Sequence, residues 1–249
     1  MVVEDLVVAA AQPRVVDGDV GRNVAAHAEL IEQAKAQLVV FPELSLTGYA
    51  LDSPPVDLCG PVVARLVSAC AATDSVALVG APVEIDGVRY IATVRLDSGG
   101  ATVAYCKTYL GGDEERYFVP GAGPRAVDVH GWRVGMGICR DTGIDDHVRS
   151  TTALGVDIYA CGLIHHEAEL AEQQRRGRSI AAAFKAPVVM ASFAGPTSGG
   201  YVRTAGHSAI WSATEIVLAE ADDLPGGIAR TILRLSSGVF APGSGLGGA

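Results

Sequence analysis

Trp132-Arg133-Val134-Gly135-Met136-Gly137-Ile138-Cys139-Arg140-Asp141-Thr142-Gly143 is the stretch on which the reading of this chain turns. Val134, Met136 and Ile138 alternate with Gly135 and Gly137, a pattern that predicts a short strand whose glycine face admits another backbone at close range. Cys139 falls at the strand's end. The turn-forming residues Arg140 to Gly143 follow, and Asp145 and Asp146 suit the N-cap and first turn of a helix. A thiol on such a bend opens toward a cleft, and a nearby helix start favours its thiolate. Taken alone the pattern fits core packing equally well, because free cysteine is among the most buried residue types.

Upstream, two further stretches end a strand on a charged residue. Leu38-Val39-Val40-Phe41 is a buried strand running into Pro42-Glu43-Leu44-Ser45-Leu46-Thr47-Gly48-Tyr49. Proline fixes the backbone just before Glu43, so the carboxylate has a defined direction, and partial burial would raise its pKa toward general-base work. The strand Ala101–Tyr105 leads into Cys106-Lys107, followed by the acidic and aromatic loop Asp113-Glu114-Glu115-Arg116-Tyr117-Phe118. Each charge, read singly, is as well explained as a solvated surface group.

Around these three stretches the pattern is that of an α/β layered domain. Leu6 to Gln12 is a continuous apolar run ending at Pro13, as in a strand buried on both faces, and residues 20–37 carry apolar positions at helical spacing. A second amphipathic helix is predicted from Asp57 to Thr73, with Pro61 in its first turn. Val76–Gly80 is a strand, and Asp86-Gly87 between alternating residues predicts a hairpin. Helices are predicted at Asp146–Leu154 and Glu167–Lys185, and strands at Val156–Cys161 and Pro187–Ser192. Three more strands, Ser208–Trp211, Ile216–Ala219 and Thr231–Leu235, read as a second sheet region. His27 reads as surface or half-buried, and Cys59 and Cys70 as structural.

Composition narrows the function. The chain has 249 residues, of which 49% are apolar, enough to fill a sizeable core. Its formal charge of −9, with the basic residues scattered, argues against a nucleic-acid surface or an anionic-membrane patch. Five cysteines without regular spacing indicate a reducing compartment rather than a disulfide scaffold. The first residues lack a basic signal-peptide region and no apolar run is long enough to span a bilayer, so the expected location is cytoplasmic. His165 and His166 are adjacent and therefore do not share a helix face; no Cys/His ligand set surrounds them, so no metal site is expected.

Together, Phe41-Pro42-Glu43, Tyr105-Cys106-Lys107 and Gly137-Ile138-Cys139 resemble the Glu-Lys-Cys triad of the nitrilase superfamily, the carbon–nitrogen hydrolases, in its amidase-like branch. Leu44 to Tyr49, Asp113 to Phe118 with Pro120-Gly121, Gly135, Asp141, Arg178 to Ala181, Ala191-Ser192 and Gly206 with Ser208 extend the resemblance over nearly the whole chain. The resemblance implies a four-layer α-β-β-α sandwich, one domain over 1–240 with a glycine-rich tail at 241–249, and assembly as a homodimer or higher homo-oligomer. It implies Cys139 as nucleophile, Glu43 as general base and acid, and Lys107 with the backbone N–H of Arg140 as oxyanion donors. Glu114, better spaced to Arg116 and Phe118 than Glu115 is, is implied as a second carboxylate beside Lys107. No cofactor is implied.

The expected substrate is a small linear amide or N-carbamoyl compound, cleaved through a thioester with release of ammonia or an amine. The alternatives are a nitrilase acting on a nitrile and, from another class, a catalytically idle protein that binds a small metabolite or assembles with a partner. Many family members have an aromatic residue after the cysteine and a second Phe-Pro-Glu stretch soon afterwards; this chain has Arg140 and Thr142-Gly143-Ile144-Asp145. Arg140, Tyr49, His165 and His166 are therefore the candidate pocket residues, with Arg140 or a histidine expected to meet a polar end of the substrate such as a carboxylate. A surface salt bridge is the competing role for Arg140.

Overall fold

The computed structural model describes residues 4–234; the stretch 241–249 lies outside them. Runs of β-branched and small apolar residues form strands β1 (Leu6–Ala11), β2 (Leu38–Val40) and β3 (Val76–Ile85), which pair in parallel. Helix α1 (Val20–Ala34) connects the first two strands and α2 (Pro61–Thr73) precedes the third. Asp19 caps α1 by accepting the Arg22 N–H, and Pro61 sits at the first helical position of α2. The α2 helix thus starts at Pro61 rather than at Asp57.

Strands β4 (Val88–Asp97) and β5 (Gly100–Cys106) extend this sheet antiparallel. Asp86 and Gly87, both at positive φ, make the two-residue turn between β3 and β4. The second sheet is built from β6 (Ala126–Val129), β7 (Trp132–Ile138), β8 (Ile158–Leu163), β9 (Val188–Ser192), β10 (Ala209–Trp211) and β11 (Val217–Glu220). Its covering helices are α3 (Asp145–Thr152) and α4 (Leu170–Phe184). The last described strand, β12 (Ile228–Leu233), departs from the sequence expectation of a second-sheet strand: it pairs antiparallel with β1 and completes the first sheet, Leu6 opposite Leu233.

Alternation along the strands sorts side chains into three apolar layers. Leu6, Val8 and Ala10 of β1 meet Val134, Met136 and Ile138 of β7 between the two sheets. Ala9 and Ala11 face the opposite way, onto Val24, Ala28 and Ile31 of α1 and Leu66 of α2. Tyr159, Cys161 and Leu163 of β8 pack with Ile180 and Phe184 of α4. The result is a helix–sheet–sheet–helix stack, the four-layer sandwich. Among the described residues no helix is long and apolar enough to cross a membrane.

Two smaller expectations change. His27 is fully buried, its ring held between the Asn23 carbonyl and the Ser45 hydroxyl, because α1 packs against the loop that carries Glu43. Cys59 is exposed, whereas Cys70 is buried in the layer under α2.

Candidate active site

Glu43 leaves the end of β2 at the seam between the two sheets, and two glycines determine how close it comes to each. A Cβ placed on Gly80 of β3 would lie 2.2 Å from the Pro42 carbonyl oxygen, and one on Gly162 of β8 would lie 2.4 Å from the Phe41 carbonyl oxygen. The Phe41–Glu43 backbone is therefore gripped from both sheets, a close approach only glycine permits. Beyond Glu43 the chain turns sharply, with Leu44 at φ +51° and Ser45 N–H donating to the Pro42 carbonyl. The close backbone contacts expected at Gly135 and Gly137 occur here instead. Side chains fill the space over those two glycines: Thr151 and Val156 over Gly135, Tyr159 and His147 over Gly137.

Lys107 follows directly on β5 and is anchored by its backbone, donating to the Ile91 carbonyl and accepting from Gly121 N–H. Its buried ammonium donates to Glu43 Oε1 at 2.6 Å and to Glu114 Oε1 at 2.7 Å. Glu114 lies on a single 3₁₀ turn, Glu114–Arg116, and is buried, while Glu115 is exposed. Glu114 also accepts the Tyr49 hydroxyl at Oε1, 2.6 Å, and the Gly111 N–H at Oε2, 2.7 Å.

Cys139 stands where β7 ends, at φ +40°, in the left-handed region that a side chain adopts only under constraint. That constraint is visible. Asp141, two residues on and fully buried, accepts Ile138 N–H and the Tyr105 hydroxyl at Oδ2, and Tyr109 N–H at Oδ1. One carboxylate thus ties the cysteine turn to the residues on either side of Lys107. Because Tyr105 donates to Asp141, His147 Nε2 at 3.0 Å must be a donor to the Tyr105 oxygen. On the other side Thr142 donates to the Cys139 carbonyl at 2.6 Å.

The thiol itself donates to the Ile164 carbonyl at 3.4 Å. Burial, reinforced by the Glu43 charge, pushes the Cys139 thiol up to about 12. This corrects the expectation of a favoured thiolate. Cys139 opens a five-residue 3₁₀ turn, Cys139–Gly143, and α3 begins only at Asp145, so the dipole beside the thiol is too small to offset desolvation. Burial likewise raises Glu43 to about 7, with Lys107 opposing and Glu114 adding to the shift. Burial also raises Glu114, but the Lys107 charge and the hydrogen bonds from Lys107, Tyr49 and Gly111 overcome it and leave that carboxyl below its ordinary value. For Lys107, burial opposes the charge, yet Glu43, Cys139 and Glu114 together raise its pKa. At neutral pH the cluster holds a neutral thiol, a half-titrated carboxyl, an ammonium and a carboxylate.

The four pocket candidates separate. Tyr49 joins the cluster through Glu114, and its ring meets Tyr201 edge-on at 5.1 Å. His166 stacks on the Tyr201 ring at 4.3 Å. His165 is buried, and Arg176, Glu169, Gln173 and Glu172 act on its ring. Arg140 is exposed and, among the described residues, its side chain has no ion-pair or hydrogen-bond partner. Tyr201, whose phenol feels Cys139 and Glu43, did not emerge from sequence reasoning; its one cue is the Gly199-Gly200 pair before it, both at positive φ. Asp17 receives the Thr197 and Ser198 hydroxyls at 2.5 and 2.7 Å and so pins the loop that carries Tyr201. Among the described residues no group of three histidines, cysteines or acids is arranged to hold a metal ion.

A family model described as carbon–nitrogen hydrolase matches residues 7–237. The chain belongs to that family. A glutamine-dependent NAD(+) synthetase of Aquifex aeolicus is 32% identical over 153 residues, 55% of this carbon–nitrogen hydrolase and 26% of the synthetase. An (R)-stereoselective amidase of Pseudomonas sp. is 28% identical over 148 residues, 57% of this chain and 54% of that one. The matched region therefore spans about a quarter of the synthetase and about half of the amidase. Among solved structures, a CN-hydrolase superfamily protein of Xanthomonas campestris superposes with a TM-score of 0.84 at 19% identity, covering 93% of this chain and 91% of the other. That likeness is one of fold.

Proposed function

We propose that this carbon–nitrogen hydrolase is a cysteine-dependent amidase, acting on a small linear amide or N-carbamoyl compound through a thioester. The observation that carries the reading is the buried Lys107 ammonium held 2.6 Å from Glu43 Oε1 beside the Cys139 thiol, where burial keeps the thiol protonated and raises the Glu43 carboxyl to about 7. A base of that pKa is half ionised at neutral pH and strong enough to accept a thiol proton as the sulfur attacks. The Glu43 Oε2 atom is buried and has no hydrogen-bond partner among the described residues, so it is free for that proton.

In this mechanism Cys139 Sγ bonds to the carbonyl carbon while its proton passes to Glu43. Lys107 and the Arg140 N–H stabilise the charge that develops on the carbonyl oxygen. The C–N bond then breaks as Glu43 returns the proton to the leaving nitrogen, giving ammonia or an amine and a thioester. Glu43 next takes a proton from water, the hydroxyl adds to the thioester carbon, the C–S bond breaks and the proton returns to the sulfur. No metal or cofactor enters a step. The (R)-stereoselective amidase and the glutamine-dependent synthetase are both named for amide substrates or donors, which supports placing ω-amides such as glutamine in the substrate panel.

The test is ammonia release and intact mass for wild type and Cys139→Ala across simple amides, dicarboxylic monoamides, N-carbamoyl amines and nitriles. One amide or carbamoyl class releasing ammonia, with an acyl adduct on the wild type and neither signal in Cys139→Ala, supports the reading. Silence across the panel, or turnover that survives in Cys139→Ala, refutes it.

A further inference from the structure

Lys107 has a carboxylate on either side of its ammonium, at nearly equal distances of 2.6 and 2.7 Å. By that geometry either Glu43 or Glu114 has the charge partner to serve as the proton-transfer group. We propose that Tyr49 is the positioning residue that decides between them: its hydroxyl, donated to Glu114 Oε1, holds Glu114 as the permanent counter-ion of Lys107 and leaves Glu43 to take and return the proton. The inference rests on the amidase reading and adds to it the residue that assigns the two carboxyl roles.

The donor count is unequal. Glu114 accepts from three groups, the Lys107 ammonium, the Tyr49 hydroxyl and the Gly111 N–H. Glu43 accepts from Lys107 at Oε1, and its Oε2 has no hydrogen-bond partner among the described residues. Hydrogen bonds to a carboxylate favour its charged form, and burial without them favours the neutral form. Glu114 accordingly stays ionised while Glu43 titrates near pH 7. When environments push two carboxyl groups apart in this way, their acid–base roles separate.

Tyr49 is well held for the task. Its N–H donates to the Thr197 hydroxyl at 2.9 Å, and a Cβ on Gly199 would lie 2.7 Å from its ring, so the loop at 195–206 presses on it directly. Burial, with the charges of Glu43 and Glu114, drives the phenol pKa far up. The hydroxyl is thus a donor at every working pH. The titratable groups facing the carboxyl pair are Lys107 from the end of β5, Cys139 from the turn after β7, Tyr49 from the segment after β2 and Tyr201 from the 195–206 loop.

Alkylation of Cys139 by iodoacetamide tests the idea without an identified substrate. Its rate is followed against pH by intact mass and peptide mapping, with the exposed Cys59 as internal reference. In wild type the Cys139 rate rises through an inflection near pH 7, where Glu43 becomes able to accept the thiol proton. Tyr49→Phe frees Glu114 to share the proton, so Glu43 ionises earlier and is a weaker base. The inflection then moves down by about one pH unit and the plateau above it falls several-fold. Glu114→Gln gives the same downward shift, and adding Tyr49→Phe to it changes nothing further.

An inflection that stays put in Tyr49→Phe, with only KM for amides raised, overturns the inference and makes Tyr49 a pocket residue, while the amidase reading stands. A wild-type Cys139 that alkylates no faster than Cys59 and shows no inflection overturns both.

Discussion

Gly162→Ala measures how much the placement of Glu43 depends on the two-sided grip of its backbone. The added methyl would lie 2.4 Å from the Phe41 carbonyl oxygen and 2.9 Å from the Glu43 nitrogen, whereas ordinary contact begins near 3.4 Å. The Phe41–Glu43 segment must therefore retreat by about 1 Å. It retreats toward Gly80, where the Pro42 oxygen and Leu44 nitrogen already crowd the space a Cβ would take. A displacement of that size moves the carboxylate out of line with Cys139 and stretches the 2.6 Å contact with Lys107. Misplacing a catalytic group by about 1 Å costs on the order of 10²-fold in rate, and overpacking a rigid site costs about 1–3 kcal/mol of stability. The assay pairs kcat/KM for ammonia release, on the best amide of the panel, with the thermal midpoint. Gly80→Ala presses from the opposite sheet and should lose activity comparably. A Gly162→Ala protein with wild-type midpoint and kcat/KM within about two-fold would show that the grip is irrelevant to the chemistry.

The raised Glu43 pKa has a consequence for folding. The folded chain keeps a proton there between pH 4.5 and about 7 that the unfolded chain has released, so this carboxyl's contribution to stability falls as pH rises through that window. Glu43→Gln removes the titration; its melting temperature relative to wild type should climb over the same interval, and a difference flat in pH would contradict the shift. Asp141→Asn replaces an acceptor of three protein donors by an amide that must turn its NH₂ toward one of them. It should lower unfolding free energy by about 2–3 kcal/mol in denaturant titrations and reduce turnover, and a loss below about 0.5 kcal/mol would refute its role in holding the cysteine turn. Asp17→Ala frees Thr197 and Ser198 and with them the loop bearing Tyr201. KM should rise several-fold with kcat and the melting temperature nearly unchanged, and an unchanged KM would separate that loop from substrate binding.

The strands and covering helices were legible because their periods are local: apolar runs for β1, β2 and β8, and helical spacing for α1 and α4. Strand β12 was misplaced among the sheets because pairing across the whole chain leaves no local mark; Ile228–Leu233 reads the same whichever edge it joins. Strand β6 was missed outright, since Ala126–Val129 is four residues long and only partly buried. At the candidate site, Glu43, Lys107 and Cys139 each end or follow a strand, which is why the linear pattern brings them forward, whereas Glu114, on its 3₁₀ turn, comes forward only through the family resemblance. The thiol's state was misjudged because desolvation is a property of the closed fold, set by residues as distant as Ile164. Asp141 appeared in the motif without a task. Its partners Tyr105 and Tyr109 lie in β5 of the other sheet and in the segment just after it, and only the fold shows that one carboxylate reaches both.

The return of β12 to β1 bears on the order in which a ribosome can make this molecule. Until Ile228–Leu233 emerges, β1 has a bare edge, and for nearly as long Gln12 lacks the carbonyls of Asp222 and Leu224 to which its amide donates. The first strand therefore waits through some 217 residues of translation, the separation of Ala11 from its partner Ile228, for its second neighbour. Contacts of such long sequence separation form slowly, and an exposed strand edge is a site for wrong pairing in the meantime. Nascent chains stalled before residue 228 should be captured by chaperones and cut by proteases, and protection should arrive in one step once β12 clears the exit tunnel. The whole first sheet is thus hostage to the last strand synthesised in it.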